Sequence, residues 1–415
     1  MEIELDDRLR SLIEQVAKKE GFTQCNIETD VGSAKGDNYL GTITKVKVSE
    51  PSSDKSLDLI MKTASSNADF RKVVPINDAF SRESYFYTDV LSTYNTLLKE
   101  YNLEPLNAFP ELLTSDMEIP EVLIMADMKA RGYVMRNRTE FLDLNHVELV
   151  MKEYGKFHGL FYALKELRPE ESQKLYEAMP ENFFSKMDFD SPAASKSVDS
   201  SNEKVMKALL PEDVKARERF EEYTKDTMKK IIKTLEPTAA GKYAVINHGD
   251  SWVNNMLFLY DKTGSVQSQP PSQVCLLDFQ LSRIASPALD LSYFIFTCTD
   301  KKLREKHFDD MLKLYHNAMR DLLKGFSLDV DDFLTLPELH QQMRLFSLFG
   351  IHMTIGVTHL MLSDQEEIPD FQNMKINDDD LEETMKAFVY VSKNESRYME
   401  RIRGVILDAV ERDYL

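Results

Sequence analysis

The segment His248–Gln280 constrains the fold of this chain more than any other stretch. It opens with H-G-D-S-W-V-N-N and closes with V-C-L-L-D-F-Q. Asp250 and Asn255 stand five positions apart in a polar loop, and Asp278 follows an apolar run. A phosphoryl-transfer site needs one carboxylate at the attacking hydroxyl, and an amide and a second carboxylate to hold Mg²⁺. The segment therefore predicts a phosphotransferase with Asp250 as catalytic base and Asn255 and Asp278 as metal ligands.

The residues around these three predict strands on both sides of the loop. An apolar strand, Tyr243–Ile246, enters the loop, and Met256–Tyr260 leaves it as a second strand. The turn-rich stretch Asp261–Gln273 then leads into the strand that carries Asp278. The alternative is an Asp and an Asn that only cap a turn, as such residues often do. The combined order of strands and polar residues favours the catalytic interpretation.

Length and charge limit the classes of protein that fit. A chain of 415 residues is long enough for two lobes with a substantial core. Its net charge of −19 argues against binding to nucleic acid or to an anionic membrane surface. Three cysteines without metal-ligand spacing suit a reducing compartment, and the N-terminus lacks the basic start of a signal peptide. We therefore expect a cytoplasmic protein, and no obligate protein partner is implied.

The order of these motifs resembles a known superfamily, the aminoglycoside phosphotransferases and choline kinases. Within it, H-G-D-S-W-V-N-N followed by L-L-D-F-Q-L-S-R-I-A-S-P-A-L-D-L-S-Y-F is most similar to the ecdysteroid kinase-like family, also called CHK kinase-like. The Trp after H-G-D-x, the D-F-Q in place of D-F-G, and the S-P-x-x-D-L tail are the distinguishing letters. The similarity runs in the same order from about Gly21 to the C-terminal helices.

The resemblance implies an α+β, bilobal, protein-kinase-like fold. The N-lobe, residues 1–127, would be a small β-sheet with one helix that corresponds to helix C of protein kinases. The C-lobe, residues 128–415, would be mainly α-helical and would carry the catalytic loop, the metal site and the acceptor pocket. The hinge between the lobes would lie at about residues 125–128. There the family usually has an acidic pair, whereas this chain has Ala126-Asp127.

Three stretches of the N-lobe match nucleotide-binding parts of the family. A glycine-rich turn lies between two predicted strands, where a plain hairpin is the alternative. In the family this turn covers the nucleotide. Backbone groups of the hinge meet the adenine edge. The resemblance thus assigns to ATP the turn residues Lys35, Gly36, Asp37 and Asn38 and the hinge residues Met125, Asp127 and Met128.

A lysine and a glutamate complete the expected nucleotide site. Alternation along Leu57–Thr63 puts Ile60 and Lys62 on one face of a strand, although most lysines are simply solvated. The family motif F-x-x-E-x-x-x-Y matches a predicted helix that carries Glu83. The resemblance implies that Glu83 holds Lys62, which in turn binds the ATP phosphates and counts among the catalytic residues. Arg82 receives no role.

Other patterns predict structural elements and supporting residues. Helices are expected at His146–Leu164 and Glu203–Leu235. Strands are expected at Phe109–Leu113 and Glu121–Met125, and the stretch Pro180–Asn202 looks irregular. The most apolar run, Leu345–Leu362, is interpreted as a buried helix rather than a membrane span. An aromatic cluster fits either the acceptor pocket or the core: Phe183, Phe184, Met187 and Phe189. Supporting rather than chemical roles are expected for His158, His248 and Asp290.

The prediction from sequence is an ATP- and Mg²⁺-dependent small-molecule kinase. It would transfer the γ-phosphoryl group to an alcohol, with an ecdysteroid or a similar apolar hydroxylated compound as the first choice of acceptor. Choline or another cation is the alternative within the class, since the negative charge of the chain suits it. A nucleotide-binding pseudokinase scaffold is another alternative. A true protein kinase is disfavoured, because G-x-G-x-x-G, H-R-D, D-F-G and A-P-E are missing.

Overall fold

The computed structural model describes residues 3–33, 39–51, 53–189, 191–261, 269–368 and 393–415. The predicted turn residues Lys35, Gly36, Asp37 and Asn38 lie outside the described residues. The strands are β1 Asn26–Val31, β2 Gly41–Ser49, β3 Ser56–Ala64, β4 Leu112–Asp116, β5 Val122–Ala126, β6 Val134–Met135, β7 Val245–Asn247, β8 Met256–Leu259, β9 Gln273–Leu276 and β10 Arg283–Ala285.

The helices follow the same chain order. They are α1 Asp7–Lys19, α2 Ala68–Val73, α3 Ile76–Tyr85, α4 Leu91–Glu100, α5 Leu144–Leu167, α6 Pro169–Ala178, α7 Pro192–Ala208, α8 Val214–Thr224, α9 Thr227–Leu235, α10 Pro237–Ala240, α11 Ala288–Cys298, α12 Lys301–Gly325, α13 Leu336–Leu362 and α14 Glu395–Glu411. Short 3₁₀ turns include Phe184–Lys186 and Val253–Asn255.

The first 126 residues contain a five-stranded antiparallel sheet in the order β1-β2-β3-β5-β4. One face is covered by α1, whose Ile13 and Val16 pack against Leu59 and Met61 of β3. Because successive side chains of a strand point to opposite faces, Ile60 and Lys62 lie on the other face. The predicted alternation along this strand is confirmed, and it directs the Lys62 ammonium away from α1.

The helix that carries Glu83 runs almost without interruption into α4. A single π turn, Phe86–Val90, joins α3 to α4. A π turn inserts an extra residue and often marks a functional site. Here it leaves Phe86 and Tyr94 fully buried beside Phe157 of α5. This helix pair therefore connects the sheet to the helical remainder of the chain.

The remainder is mostly helical, with two small antiparallel sheets, β7–β10 and β6–β8–β9. The helix α5 packs closely on α12, because Gly155 leaves room for the backbone of Tyr315. A Cβ at Gly155 would stand only 2.4 Å from that carbonyl oxygen. The predicted α+β class is therefore confirmed as a small antiparallel sheet followed by a mainly helical part.

Three sequence predictions of elements were wrong in extent. The expected strand Phe109–Leu113 is displaced to Leu112–Asp116, because its pairing is set by β5 and includes an irregularity. The region Pro180–Asn202 is not irregular throughout, since α7 begins at Pro192, with Ser191 as N-cap. The expected strand Tyr243–Ile246 is displaced to Val245–Asn247, because Gly241–Tyr243 forms a 3₁₀ turn. The predicted helical stretch Glu203–Leu235 is confirmed, and it is formed by the end of α7 and by α8 and α9.

One described helix, α13, is long and apolar enough to cross a membrane by length and composition. Within the protein, 67% of its most apolar window is buried. It packs against α11, which is buried along its whole length. Burial of this kind is typical of a core helix, as expected from sequence for Leu345–Leu362.

Candidate active site

The polar loop after β7 is held in place by a buried carboxylate. Asp290, in the first turn of α11, accepts hydrogen bonds from the backbone N–H groups of His248 (2.6 Å) and Gly249 (2.9 Å). It also accepts one from the Ser251 hydroxyl at 2.9 Å and contacts His158 at 3.2 Å. Burial acts to raise the pKa of Asp290, but these hydrogen bonds lower it below its ordinary value. Asp290 is therefore an anionic anchor for the loop.

His248 joins the loop to the strand that precedes Asp278. Its Nδ1 contacts the N–H of Asp250 at 3.2 Å, and its Nε2 contacts the carbonyl oxygen of Leu277 at 2.9 Å. A backbone N–H only donates and a carbonyl only accepts, so the ring proton is on Nε2. Burial lowers the pKa of His248, which agrees with a neutral ring. The structure thus gives His248 the bracing position expected from sequence.

Asp250 lies at the centre of the loop with both carboxylate oxygens engaged. Oδ2 accepts from the Asn255 amide at 2.8 Å and from the Trp252 indole at 3.1 Å. Oδ1 accepts from the Tyr293 hydroxyl at 2.9 Å. Burial and the charge of Asp278 raise the pKa of Asp250. A raised pKa strengthens a carboxylate as a proton acceptor, which is what a general base requires.

Asp278 follows β9 in a left-handed backbone conformation, with φ of 66°. Such a conformation is uncommon for a residue other than glycine and is concentrated at functional sites. The carboxylate of Asp278 lies 2.9 Å from the Lys62 ammonium. In the amide orientation that satisfies both partners, Gln280 donates to Asp278 at 3.1 Å and accepts from Lys62 at 3.3 Å. The backbone turn therefore aims the carboxylate at the lysine.

Lys62, on β3, connects the sheet to α3 and to the segment that carries Asp278. Its ammonium lies 2.6 Å from Glu83 of α3, and both side chains are buried. Although burial acts to lower it, the carboxylates of Asp278 and Glu83 raise the pKa of Lys62. Burial raises the pKa of the Glu83 carboxyl, and the Lys62 charge opposes that rise. An ion pair of this kind fixes the long lysine side chain in one direction.

The phenyl ring of Phe279 connects the Glu83 helix to the Asp278 strand. It stacks on Phe86 with ring centroids 3.6 Å apart and contacts the His248 ring at 4.3 Å. Phe279 is completely buried, and its backbone N–H acts to lower the pKa of the Glu83 carboxyl. The position of Glu83 is thus tied to that of Asp278 by packing as well as by charge.

These side chains open onto a cleft between the sheet and the loop. Its lining includes residues from β3, the end of β5 and the catalytic loop: Gly32, Ile43, Ile60, Lys62, Glu83, Met125, Asp127, Met128, Asn255 and Asp278. The Asp127 carboxylate accepts the N–H of Lys129 at 2.8 Å, which shapes the turn after β5. Except for the turn outside the described residues and for Asp250, the residues predicted to bind nucleotide and metal all line this cleft.

The residues at the cleft fit a magnesium ion accompanied by a polyphosphate. The Asn255 amide nitrogen donates to Asp250, so its oxygen faces elsewhere, and Asp278 supplies a carboxylate. Oxygen ligands are those that Mg²⁺ prefers, and it is usually held by one or two protein groups plus phosphates and water. In the described ranges no three His, Cys, Asp or Glu residues converge on a metal site.

Sequence reasoning missed several residues at this site. Tyr293 and Trp252 bind Asp250, and Gln280 bridges Lys62 and Asp278. In the sequence, Trp252 and Gln280 serve only to distinguish the family. The signal for Tyr293 was its place one turn after Asp290 in the same helix. Arg82, to which no role had been given, is buried.

A comparison with protein families agrees with the resemblance seen in the sequence. The model described as the ecdysteroid kinase-like family matches residues 35–328, which is more than half of the chain. No curated protein matches the chain closely enough to count as a relative. The family match supports kinase-type phosphotransferase chemistry in general. The chain belongs to the ecdysteroid kinase-like family.

Proposed function

We propose that this protein is an ATP- and Mg²⁺-dependent small-molecule kinase that transfers the γ-phosphoryl group to an alcohol. The proposal includes a bilobal, protein-kinase-like arrangement with an N-lobe of residues 1–127 and a C-lobe of residues 128–415. Family membership supports the kinase class. The five-stranded sheet before residue 127 and the helical part after it support the division.

The observation that carries the proposal is the position of Lys62. One ammonium group lies within 2.9 Å of carboxylates from two separate parts of the chain, Glu83 and Asp278. A purely structural role has no need for a lysine shared between a helix and a strained turn beside an open cleft. Phosphoryl transfer does need it, because a lysine fixed by a glutamate neutralises nucleotide phosphates next to the metal carboxylate.

Each residue of the cleft has a defined task in this proposal. Asp250 accepts the proton of the acceptor hydroxyl, with its orientation set by Asn255, Trp252 and Tyr293. Asn255 and Asp278 would hold Mg²⁺, which when bound neutralises charge on the phosphates. Lys62 binds the phosphates of ATP, and the turn at Lys35, Gly36, Asp37 and Asn38 covers them. Backbone groups of Met125, Asp127 and Met128 meet the adenine.

The acceptor proposed first is an ecdysteroid or another apolar hydroxylated compound. What supports it is the family, together with aromatic side chains beyond Asp250, among them Phe184 and Phe349. The charge of −19 supports the absence of nucleic-acid and membrane partners, and the three free cysteines suit a cytoplasmic protein.

The test is phosphoryl transfer itself. The protein is incubated with Mg²⁺, γ-labelled ATP and a panel of ecdysteroids, other hydroxylated steroids, xenobiotic alcohols and choline, and products are identified by mass spectrometry. We expect a labelled monophosphate ester of at least one alcohol, which is not formed when Mg²⁺ is chelated. Binding of Mg·ATP without turnover of any acceptor would favour the pseudokinase scaffold instead.

A further inference from the structure

The helix α3 carries Glu83 and, on a neighbouring face, a buried arginine. Arg82 is 5% exposed, and Asp78 lies four positions before it, so both project from the same side of the helix. Burial and the charge of Arg283 lower the pKa of Arg82 to about 10. The carboxylates of Glu181 and Asp78 oppose this shift, and the guanidinium stays charged at neutral pH. A buried charge is costly unless it is hydrogen bonded, so the partners of Arg82 indicate its role.

Arg82 binds a segment of the helical part of the chain, residues 180–186. Its Nη2 donates to the carbonyl oxygen of Pro180 at 2.6 Å and to the side-chain oxygen of Asn182 at 3.0 Å. These partners stand 98 and 100 positions further along the sequence. Hydrogen bonds from a charged donor are stronger than those between neutral groups. Arg82 therefore connects α3 firmly to the 180–186 segment.

Asp78 adds two contacts to the same segment. Its Oδ1 accepts from the amide nitrogen of Asn182 at 3.2 Å, and its Oδ2 lies 2.7 Å from the ammonium of Lys186. The side chain of Lys186 is 53% exposed, so this ion pair contributes little on its own. The amide of Asn182 is the more important group, because it binds Arg82 through its oxygen and Asp78 through its nitrogen.

The 180–186 segment is held in one shape by its own carboxylate. Glu181 accepts the backbone N–H groups of the following turn at 2.8 to 3.0 Å, from Phe183, Phe184 and Ser185. Burial acts to raise the pKa of Glu181, but the charge of Arg283 and these hydrogen bonds lower it, so the carboxylate is anionic. The two partners of Arg82 stand on either side of Glu181 in the sequence. The segment therefore moves as a unit, and its position is set by its contacts with other elements.

Aromatic packing leads from this segment to Asp250. The ring of Phe184 lies 6.1 Å from that of Phe349, which lies 6.2 Å from the ring of Tyr293. The hydroxyl of Tyr293 donates to Asp250 at 2.9 Å. Two partly exposed rings pack on Phe184 and form with it an aromatic surface: Phe183 and Phe189. This aromatic surface suits an apolar acceptor whose hydroxyl is offered to Asp250.

The helix α3 is also fixed by contacts that do not involve the 180–186 segment. Glu83 lies 2.6 Å from Lys62, and Phe86, directly after the helix, stacks on Phe279 with ring centroids 3.6 Å apart. Loss of the Arg82 guanidinium therefore releases the segment rather than the helix. Under the proposed function, such a loss affects binding of the acceptor and leaves binding of the nucleotide unchanged.

We propose that Arg82 is a positioning residue for the acceptor, because it fixes the aromatic surface to the helix that carries Glu83. This inference rests on the proposed kinase function, and the acceptor class remains the apolar alcohol proposed there. Arg82 does not touch the reacting atoms and acts through Asn182 and Phe184. The ion pair for the nucleotide and the surface for the acceptor thus share one supporting helix.

The first test measures which substrate is affected when the guanidinium is removed. Arg82→Met keeps an unbranched side chain and removes the donors. The acceptor is ecdysone, or the alcohol of the panel with the lowest KM if ecdysone is not phosphorylated. We expect KM and the calorimetric dissociation constant of the acceptor to rise at least about tenfold, while KM for ATP changes less than about twofold. Arg82→Lys restores the charge and should recover part of the loss. Equal increases in both KM values would overturn the proposal, because Arg82 would then support the whole helix.

The matched control is Arg304, a buried arginine whose partners lie in other elements. Its guanidinium binds the carboxylate of Asp408 and the carbonyl oxygens of Thr299 and Gly404. Arg304→Met should lower Tm at least as much as Arg82→Met, and KM for the acceptor should stay within about twofold of the wild type. A rise in this KM as large as in Arg82→Met would show an effect of general destabilisation and would overturn the proposal.

The second test does not depend on turnover. In Arg82→Met, the amides that bind Glu181 should exchange hydrogen at least about tenfold faster than in the wild type, as read by mass spectrometry, while those of α3 are unchanged. Asn182→Ala should have the same effect. The double variant should be no worse than either single variant, because both changes break one connection. Unchanged exchange at these amides would overturn the proposal.

The outcomes distinguish the positioning role from the kinase function. Binding of ecdysone that weakens in Arg82→Met, without transfer of phosphate to any alcohol, would support the positioning role and contradict the kinase. Transfer to an alcohol with the same KM in the wild type and in Arg82→Met would support the kinase and overturn the positioning role.

Discussion

At the scale of single residues, the carboxylate of Asp250 is oriented before any substrate arrives. Three donors, from Asn255, Trp252 and Tyr293, occupy positions around its two oxygens. If Asp250 is the base, as proposed, it loses little rotational freedom when a hydroxyl binds, which is how positioning lowers a reaction barrier. The amide of Asn255 has two tasks, since its nitrogen orients Asp250 and its oxygen is the candidate metal ligand.

Removing the two acids should have different effects. In Asp250→Ala we expect kcat to fall by about 10²–10⁴, because general base catalysis is lost, while Mg·ATP still binds. In Asp278→Ala we expect weaker Mg·ATP binding, because a metal ligand is lost. Steady-state kinetics and calorimetric titration of Mg·ATP measure the two effects. A nearly fully active Asp250→Ala protein would show that the base is misassigned.

The hydroxyl of Tyr293 should tune the pH dependence of transfer. Burial and Asp278 raise the pKa of Asp250, and the hydrogen bond from Tyr293 works against that rise. A base is active only when deprotonated, so activity falls as the pH drops through this pKa. Tyr293→Phe raises the pKa further, so the acidic limb of kcat/KM should move to higher pH.

A second buried tyrosine serves as the control for this profile. The hydroxyl of Tyr94 has no partner in the described structure, and Tyr94 packs on Phe157. Tyr94→Phe should therefore leave the acidic limb where it is in the wild type. If Tyr293→Phe leaves the limb unmoved as well, Asp250 does not titrate as the base.

The residues foreseen from sequence and those missed differ in a physical way. Lys62, Glu83, Asn255 and Asp278 stand in short motifs whose spacing is set by local structure. Tyr293 is missed because nothing in one sequence shows that its hydroxyl donates to Asp250. The two residues are 43 positions apart, and only the folded chain brings them together.

At the scale of elements, the catalytic loop depends on a glycine. Gly249 has φ of 88°, and a Cβ there would lie 2.0 Å from the carbonyl oxygen of Leu281. The loop passes this close to Leu281 while the Gly249 N–H donates to the anchor Asp290 at 2.9 Å. No other residue type meets both requirements, because a side chain adds strain at positive φ and collides with the backbone.

Substituting this glycine should destabilise the protein. For Gly249→Ala we expect a loss of about 2–4 kcal/mol in the free energy of unfolding. Backbone strain at positive φ and steric overlap with the Leu281 carbonyl both destabilise the folded variant. The matched control is Gly356→Ala in α13, where nothing lies within 4 Å of the added methyl group. It should be neutral or stabilising by up to about 1 kcal/mol. Denaturant unfolding measures both, and equal effects would contradict the close approach.

Elements with strong local signals were predicted well, and those set by distant partners were not. The strand Asn26–Val31 was predicted with its observed bounds, and α5 from its apolar periodicity. The helix α7 was missed because its first half is rich in Ser and Asp, which favour turns in isolation. It forms because Ser191 caps it and Val205 is buried against other helices. Tertiary packing outweighs local propensity there.

At the scale of the whole molecule, partly buried histidines make stability depend on pH. Burial lowers the pKa of His352 to about 4, and burial with the charge of Lys204 lowers that of His359 to about 3. In an unfolded chain a histidine titrates at about 6.5. Below that pH the unfolded chain binds protons that the folded protein does not. The free energy of unfolding therefore decreases as the pH falls from about 6.5 towards 4.

One substitution isolates part of this effect. His352 contacts the Tyr223 hydroxyl at 2.9 Å, and His352→Gln keeps an acceptor for it without titrating. The variant should be less stable than the wild type at pH 7, and the deficit should shrink by on the order of 1 kcal/mol between pH 7 and pH 5. Thermal unfolding across this range measures it. A deficit that stays constant or widens would contradict a neutral, partly buried His352.

The stacked rings of Phe86 and Phe279 have a consequence for control of the enzyme. An outward movement of α3 would carry Glu83 away from Lys62. It would also separate the rings of Phe86 and Phe279 and expose both to water. Separating the rings costs about 0.5–1.5 kcal/mol beyond the cost of exposing their apolar surface to water. Breaking the Lys62–Glu83 ion pair adds to this cost. An inactive conformation reached by tilting α3 is therefore disfavoured. Under the proposed function, the rate of turnover would depend on the concentrations of ATP and acceptor.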